Sequence, residues 1–318
     1  MTKFTVITPV FNGSKYIEET VRSVLEATAG LDFEYLIIDD GSTDETKLIL
    51  NNYRSKVIYI YQENSGQSSA INKGIKLASG KYSTIVNADD PLLSKDLFLR
   101  AGLILDAEEG VVATYPDWKM IDAEGSTLET VVVKEFSFID FVGKFNCLIG
   151  PGGVFRTEIA RKVNGWDPSY KFVPDYDFWL RISDYGVFKH VPQVQATWRS
   201  HETSISVASR SKEMADERIR VIRKYLDRKP ETSSEIKNMA IAFSNYRASV
   251  LSYFDSKING RQMLFKAIRH YPKILLEIDV RVTLYVMLLP ISRWFLKLFA
   301  CWSVYQKLEE KLRQGIKS

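Results

Sequence analysis

Two pairs of adjacent aspartates stand at the ends of short apolar runs, Asp39 and Asp40 behind YLII, and Asp89 and Asp90 behind STIV. A carboxylate at such a place can accept a hydrogen bond from a nucleobase imide or a ribose hydroxyl. Like charges at neighbouring positions repel unless a cation or water offsets them. Carboxylate oxygens suit magnesium or manganese, which keep coordination positions open for water and substrate phosphates. Each pair also has a plainer reading. Asp40 leads into Gly41, Ser42, Thr43 and Asp44, a turn in which the hydroxyls and Asp44 can simply cap a helix, and an isolated Asp-Asp is commonly a solvated turn.

These pairs are carried by alternating elements. Residues 4–8, 35–38, 57–61 and 82–86 read as strands. Between them, a helical pattern opens at Gly13 and Ser14 and runs through Ile17, Val21, Val24 and Leu25, and residues 43–53 and 69–78 are helical in pattern. This alternation predicts a mostly parallel sheet flanked by helices, with ligands gathering at strand ends. Three strand ends are polar: TPVFNG, DDGSTD and NADD. From 110 to 199 the pattern is less regular, with a strand over 111–115, the turn GPGGVF entering another, and a helix over 177–185. Long helical stretches follow residue 211, so the expected division is 1–210 and 211–318.

ITPVFNG, IIDDGSTDET and ENSGQSSAINKGIKLASGKYSTIVNADD together resemble the nucleotide-sugar-binding half of a family 2 glycosyltransferase, over residues 3–205. The resemblance implies an α/β GT-A (nucleotide-diphospho-sugar transferase) fold, a Rossmann-like mixed sheet flanked by helices, here with a helical C-terminal region. It implies that Pro9 and Phe11 line the base pocket, that Asp39 or Asp40 binds the base, and that Asn12 also belongs to the nucleotide-sugar site. Asn64, Gly66, Gln67, Asn72 and Asn87 would complete the donor site, and Asp89 and Asp90 would hold the ribose and a diphosphate bound to Mn2+ or Mg2+. Two positions depart from the family: Asn87 stands where aspartate is common, and Ile71 where a basic residue is frequent.

The resemblance continues through GPGGVFRTEIARKVNGWDPSYKFVPDYDFWLRI, which implies an acceptor side containing Gly152, Gly153, Trp166 and Trp179. The family's Glu-Asp pair appears as Pro174-Asp175, which makes Asp175 the catalytic base; Asp177 reads as a helix N-terminal charge. An R-x-H near the end of the domain, Arg199 and His201, is implied to close over the diphosphate or metal, with His201 a metal ligand beside Asp89 and Asp90. Displacement at an anomeric carbon needs a base opposite the leaving diphosphate to take the proton of the attacking hydroxyl, and a cation stabilises the departing charge. One displacement inverts the anomeric centre.

The expected function is therefore inverting transfer of a sugar from a nucleotide-sugar donor, a UDP-sugar by expectation, to a glycan or lipid-linked glycan in cell-surface polysaccharide synthesis. A non-catalytic nucleotide-sugar-binding scaffold of the same fold is the alternative. A nucleotidyltransferase would need a Gly- and Lys-rich phosphate loop that TPVFNG lacks. A net charge of only +4 and the absence of a basic-aromatic run in the first two hundred residues point away from nucleic acid. Two distant cysteines, Cys147 and Cys301, suggest a reducing compartment, and the N-terminus lacks a secretory pattern, so a cytoplasmic location is expected. Residues 282–305 are strongly apolar, with Arg293 and Lys297 one turn apart among Trp294, Phe295, Leu298, Phe299 and Trp302. Such a helix suits peripheral contact with the inner face of a membrane, or packing within the chain or a homo-oligomer.

Overall fold

The computed structural model describes residues 3–147, 149–201 and 212–278. The chain divides into two compact units, Met1–Ser137 with Cys147–His201, and Phe138–Asn146 with Glu202–Ser318.

The first unit is built on an eight-stranded mixed sheet. Its strands are β1 (Phe4–Val10), β2 (Phe33–Asp39), β3 (Ile58–Tyr61), β4 (Tyr82–Ile85), β5 (Val111–Ile121), β6 (Thr127–Val131), β7 (Val154–Arg156) and β8 (Val187–Arg199). The order is β3-β2-β1-β4-β7-β5-β6, with β8 alongside β5. β1 pairs in parallel with β2 on one side and β4 on the other, so the C-terminal ends of all three open on one edge of the sheet. Every residue of β1 is buried, which is why FTVITPV reads as one apolar run without alternation.

Helices α1 (Ile17–Ala27), α2 (Thr46–Asn51), α3 (Gln67–Leu77), α4 (Asp96–Ala107), α5 (Thr157–Lys162) and α6 (Pro174–Ile182) complete the unit. α1 buries Ile17, Val21 and Val24, a 3–4 residue spacing that gives one apolar face. α3 lies hard against β1, and a Cβ at Gly74 would stand 2.4 Å from Ile7 Cγ2, so only glycine permits this approach. The alternation expected over residues 4–86 is present, with the helix expected over 43–53 shortened to Thr46–Asn51.

The second half of the sheet differs from the expected elements. The strand expected over 111–115 continues to Ile121, through Pro116. Pro116 lies between the stretch of β5 that pairs with β7 and the stretch that pairs with β6, so its missing N–H takes nothing from either pairing, and the β5–β8 register shifts just after it. Strands β6 and β8 were not expected. β8 contains Pro192, which its register with β5 skips between Val191 and Val194. α6 begins at Pro174, three residues earlier than expected; proline at the first helical turn lacks only an N–H that the helix does not use.

The described part of the second unit is helical: α7 (Lys212–Arg228), α8 (Ser234–Asp255), α9 (Lys257–His270) and a 3-10 turn, Pro272–Leu276. α8 packs against both α7 and α9. Ser233 and Ser256 cap α8 and α9, accepting from the backbone N–H groups of Ile236 and Asn259. Among the described residues no helix is long and apolar enough to cross a membrane. The expected interfacial segment 282–305 lies outside the described residues.

Candidate active site

The loops after β1 and β2 are stitched together. Asn12, at a positive φ of 51°, donates its backbone N–H to Ser42 Oγ (2.9 Å), and its Oδ1 accepts from the Thr43 N–H (2.8 Å). Gly13 N donates to Thr46 Oγ1, and Ser14 N to Asp44 Oδ2. Pro9 is buried within β1, and Phe11 is left 52% exposed at the lip of this edge.

Asp39 and Asp40 are both buried and both occupied. Asp39 accepts from Ser42 N (2.8 Å) and from the Tyr59 hydroxyl (2.7 Å). Burial, then the neighbouring Asp39, pushes the Tyr59 phenol well above its usual range. Asp40 accepts from Gln62 Nε2 and from the backbone N–H groups of Ser65 and Gly66, at 2.7, 2.9 and 2.8 Å. It thereby shapes the turn that carries Asn64, Gly66 and Gln67, all exposed, into α3. Gly41 closes the arrangement: at its φ of 85°, a Cβ would fall 2.8 Å from Asn64 N.

The β4 exit has a different character. Asp90 is buried, and its oxygens accept from Asn87 Nδ2 (2.9 Å) and the Arg199 N–H (2.7 Å). Burial, and then the charge of Asp89, pushes its carboxyl up to about 8. Asn87 in turn accepts from Gln67 Nε2 (3.2 Å). The asparagine that departs from the family pattern thus supplies a donor to Asp90 that an aspartate could not. Asp89 points elsewhere: its Oδ2 lies 2.7 Å from His201 Nε2, with the Asp89 side chain 29% exposed. The His201 ring packs on Tyr16, centroids 5.2 Å apart, and Lys15 Nζ sits 4.8 Å from the same phenol ring.

Several expected site residues have structural partners. Arg199 is buried, and its guanidinium donates to Asp89 O, Asp122 O, Ala123 O and Glu19 Oε2 while lying over Tyr16 at 4.7 Å. These contacts clamp the end of β8 to the β4 exit and to α1, so this guanidinium is a positioning group rather than one aimed at a diphosphate. Asn72 exchanges two hydrogen bonds with the Trp166 backbone (Nδ2 to O and N to Oδ1, both 2.7 Å), which ties α3 to the turn at Gly165. Ile71 is fully buried. Trp166 and Trp179 are each more than nine-tenths buried, and Trp179 packs edge-on to Phe155 and Phe188, so neither presents an open ring face to a sugar. Gly152, at φ 81°, and Gly153 pack against Ala196 and Trp179, and Gly153 O accepts from Thr84 Oγ1.

Asp175 is half-buried in the first turn of α6, where the helix dipole favours negative charge. Its neighbour Asp177 is buried and paired with Arg181 Nε at 2.7 Å, a structural ion pair. Sequence reasoning passed over Tyr16, Tyr59 and Gln62. The signal for Tyr16 was its place at the start of α1, two residues after Gly13-Ser14, which brings it to the edge where the strands end.

Among the described residues no group of three or more His, Cys, Asp or Glu side chains is placed to hold a metal ion. Asp89 and His201 do present one carboxylate oxygen and one imidazole nitrogen at a shared point, a donor set that fits manganese or magnesium completed by water and phosphate oxygens.

Residues 5–152 match the model of glycosyl transferase family 2. Over that span the chain is similar to the family 2 glycosyltransferases. A glycosyltransferase of Rickettsia prowazekii is 31% identical over 183 residues, covering 56% of this chain and 57% of that protein. The chondroitin synthase of Escherichia coli is 28% identical over 204 residues, 58% of this chain and 27% of the synthase. The chain thus spans little more than half of the first relative and about a quarter of the second. Among solved structures, residues 1–349 of Staphylococcus aureus TarS in complex with UDP-GlcNAc superpose with a TM-score of 0.61 at 21% identity, covering 98% of this chain and 92% of that one. Mannosyltransferase PcManGT of Pyrobaculum calidifontis, in complex with GDP-Man and Mn2+, gives 0.59 at 15% identity, over 99% and 84%. At these identities the likeness is one of fold: the mixed sheet is a GT-A sheet.

Proposed function

We propose that this glycosyltransferase moves a sugar from a nucleoside-diphosphate donor to a hydroxyl of a glycan or lipid-linked glycan, with inversion, in the synthesis of a polysaccharide. The observation that carries the reading is the Asp89–His201 pair, 2.7 Å apart at the edge where β1, β2 and β4 end. Two solved neighbours, one in complex with UDP-GlcNAc and the other with GDP-Man and Mn2+, support a nucleotide-sugar donor and a divalent cation. The name of the chondroitin synthase relative supports polysaccharide synthesis.

Asp89 and His201 would hold the cation, which when bound supplies Lewis-acid stabilisation of the leaving diphosphate. Arg199 and Tyr16 fix where that pair stands, since one clamps the Asp89 backbone and the other packs on the His201 ring. Asp90, held by Asn87 and the Arg199 N–H, shapes the turn from behind. The exposed Phe11 ring and the turn shaped by Asp40 border the base and ribose positions. Asp175 takes the proton of the acceptor hydroxyl as that oxygen attacks the anomeric carbon.

The test is turnover of a panel of UDP- and GDP-sugars with Mn2+ and with EDTA, read as released nucleoside diphosphate. Asp175→Asn should lower the rate about a thousandfold while leaving donor affinity in place, because general-base catalysis is worth 10²–10⁴. Asp89→Ala should abolish the metal-dependent part of both binding and turnover. Donor binding without release by the wild-type chain over the whole panel, with acceptors present, would instead identify a scaffold.

A further inference from the structure

The helical unit carries a surface that the transfer chemistry does not use. Ile258 and Phe265 lie seven residues apart on α9, hence on one face, and are 68% and 64% exposed. Beyond the helix, Leu275 and Leu276 of the 3-10 turn are also exposed, Leu276 to 88%. Gln262 and Arg269 continue the Ile258 and Phe265 stripe, and Lys266, His270 and Lys273 flank it, all exposed. The opposite side of α9, with Leu264 and Ala267 fully buried, faces α8, so the apolar stripe is not the helix's own packing face.

Charge sets this surface apart. Between Ser256 and Leu276 the sequence has five Lys or Arg and no Asp or Glu. From 212 to 278 it has 14 Lys or Arg against 8 Asp or Glu, whereas residues 1–211 have 22 against 28. Bulky apolar side chains left in water beside cations with no interleaved acid are what an interfacial helix presents to an anionic bilayer, while a protein partner of mixed charge would call for both signs.

We propose that α9 and the turn after it are a docking face for an anionic phospholipid surface. Ile258, Phe265, Leu275 and Leu276 enter the headgroup boundary, and Lys266, Arg269 and Lys273 meet lipid phosphates. The contact is peripheral, and it stands apart from the transferase reading because it is measured without donor or acceptor.

Flotation of the full chain with vesicles of phosphatidylcholine, with and without phosphatidylglycerol, tests it. Binding should require the anionic lipid and weaken as salt rises. At about a fivefold loss per cation, the triple variant K266Q/R269Q/K273Q should bind on the order of a hundredfold weaker. F265S/L276S should lose about tenfold, since two bulky apolar groups no longer leave water. Equal thermal midpoints for the variants and the wild type establish that the fold is intact. Binding to the anionic vesicles unchanged in both variants would overturn the proposal. So would a wild-type chain that ignores vesicles but forms a dimer abolished by F265S/L276S, which would give the face to a second copy.

Discussion

The two acidic strand ends look alike in sequence and do different work. At the β2 exit, Asp39 and Asp40 receive five donors on four carboxylate oxygens, three of them backbone N–H groups. At the β4 exit, Asp90 follows that pattern, but Asp89 leans on an imidazole and stays partly open. A buried carboxylate surrounded by backbone donors organises a loop. One set against a titratable side chain at an open edge is available for a ligand. The type of partner, more than the adjacency of the charges, separates scaffold from chemistry.

The largest effect that sharpens this contrast is on stability. Asp40→Ala removes a buried acceptor from three donors at once, and charge-assisted hydrogen bonds of this kind cost about 1.5–3 kcal/mol each to lose, with partial compensation by water at the exposed turn. We expect about 3 kcal/mol lower stability by urea unfolding, while Asp89→Ala stays within about 0.5 kcal/mol of wild type. Equal midpoints for the two variants would erase the distinction.

How much of this was legible in the sequence follows from the range of the interactions involved. The first half of the sheet was readable because β1, β2 and β4 are short, buried and separated by helices of clear period, so local pattern and tertiary role agree. β5 was legible only as far as Tyr115; a proline argues against a central strand, and the gap between the β6 and β7 pairings that admits Pro116 is set by residues distant in sequence. Arg199 shows the same limit at the candidate site. Its place in R-x-H pointed toward phosphate, yet its four acceptors come from residues 19, 89, 122 and 123, a convergence that no local spacing encodes. Trp166 and Trp179 were open to a sugar-stacking role until their burial became visible.

The next effect is a dependence on pH at the β4 exit. Burial, and then the charge of Asp89, push the Asp90 carboxyl up to about 8, against about 3.8 as the ordinary value. Between those values the folded chain keeps a proton that the unfolded chain has released, so raising the pH favours unfolding. In EDTA, the stability of the wild type relative to Asp90→Asn should therefore fall as pH rises from about 4 through about 8, then level off. The asparagine is accommodated if the amides of Asn87 and Gln67 turn over together. A stability difference that stays flat across this range would place Asp90 among ordinary exposed carboxylates.

The smallest effect has the opposite sign and belongs to the β2 exit. Burial alone would raise the Asp44 carboxyl, but hydrogen bonds from Thr46 and Ser14 outweigh it and bring the group down to about 2. Here the unfolded chain binds the proton first, so the contribution is complete above about 3.8 and is lost as pH falls toward about 2. Because Asp44 is largely exposed, solvent screening holds that contribution below about 1 kcal/mol. The gap in urea midpoint between wild type and Asp44→Asn should close as the solution is acidified from about pH 5, while the gap for Asp90→Asn moves the other way over its own range. Two aspartate-bearing turns that respond to protons with opposite signs would demonstrate, without any ligand, that one was built by donating hydrogen bonds to a charge and the other by burying one beside its neighbour. Parallel responses would mean that the two exits share one electrostatic environment.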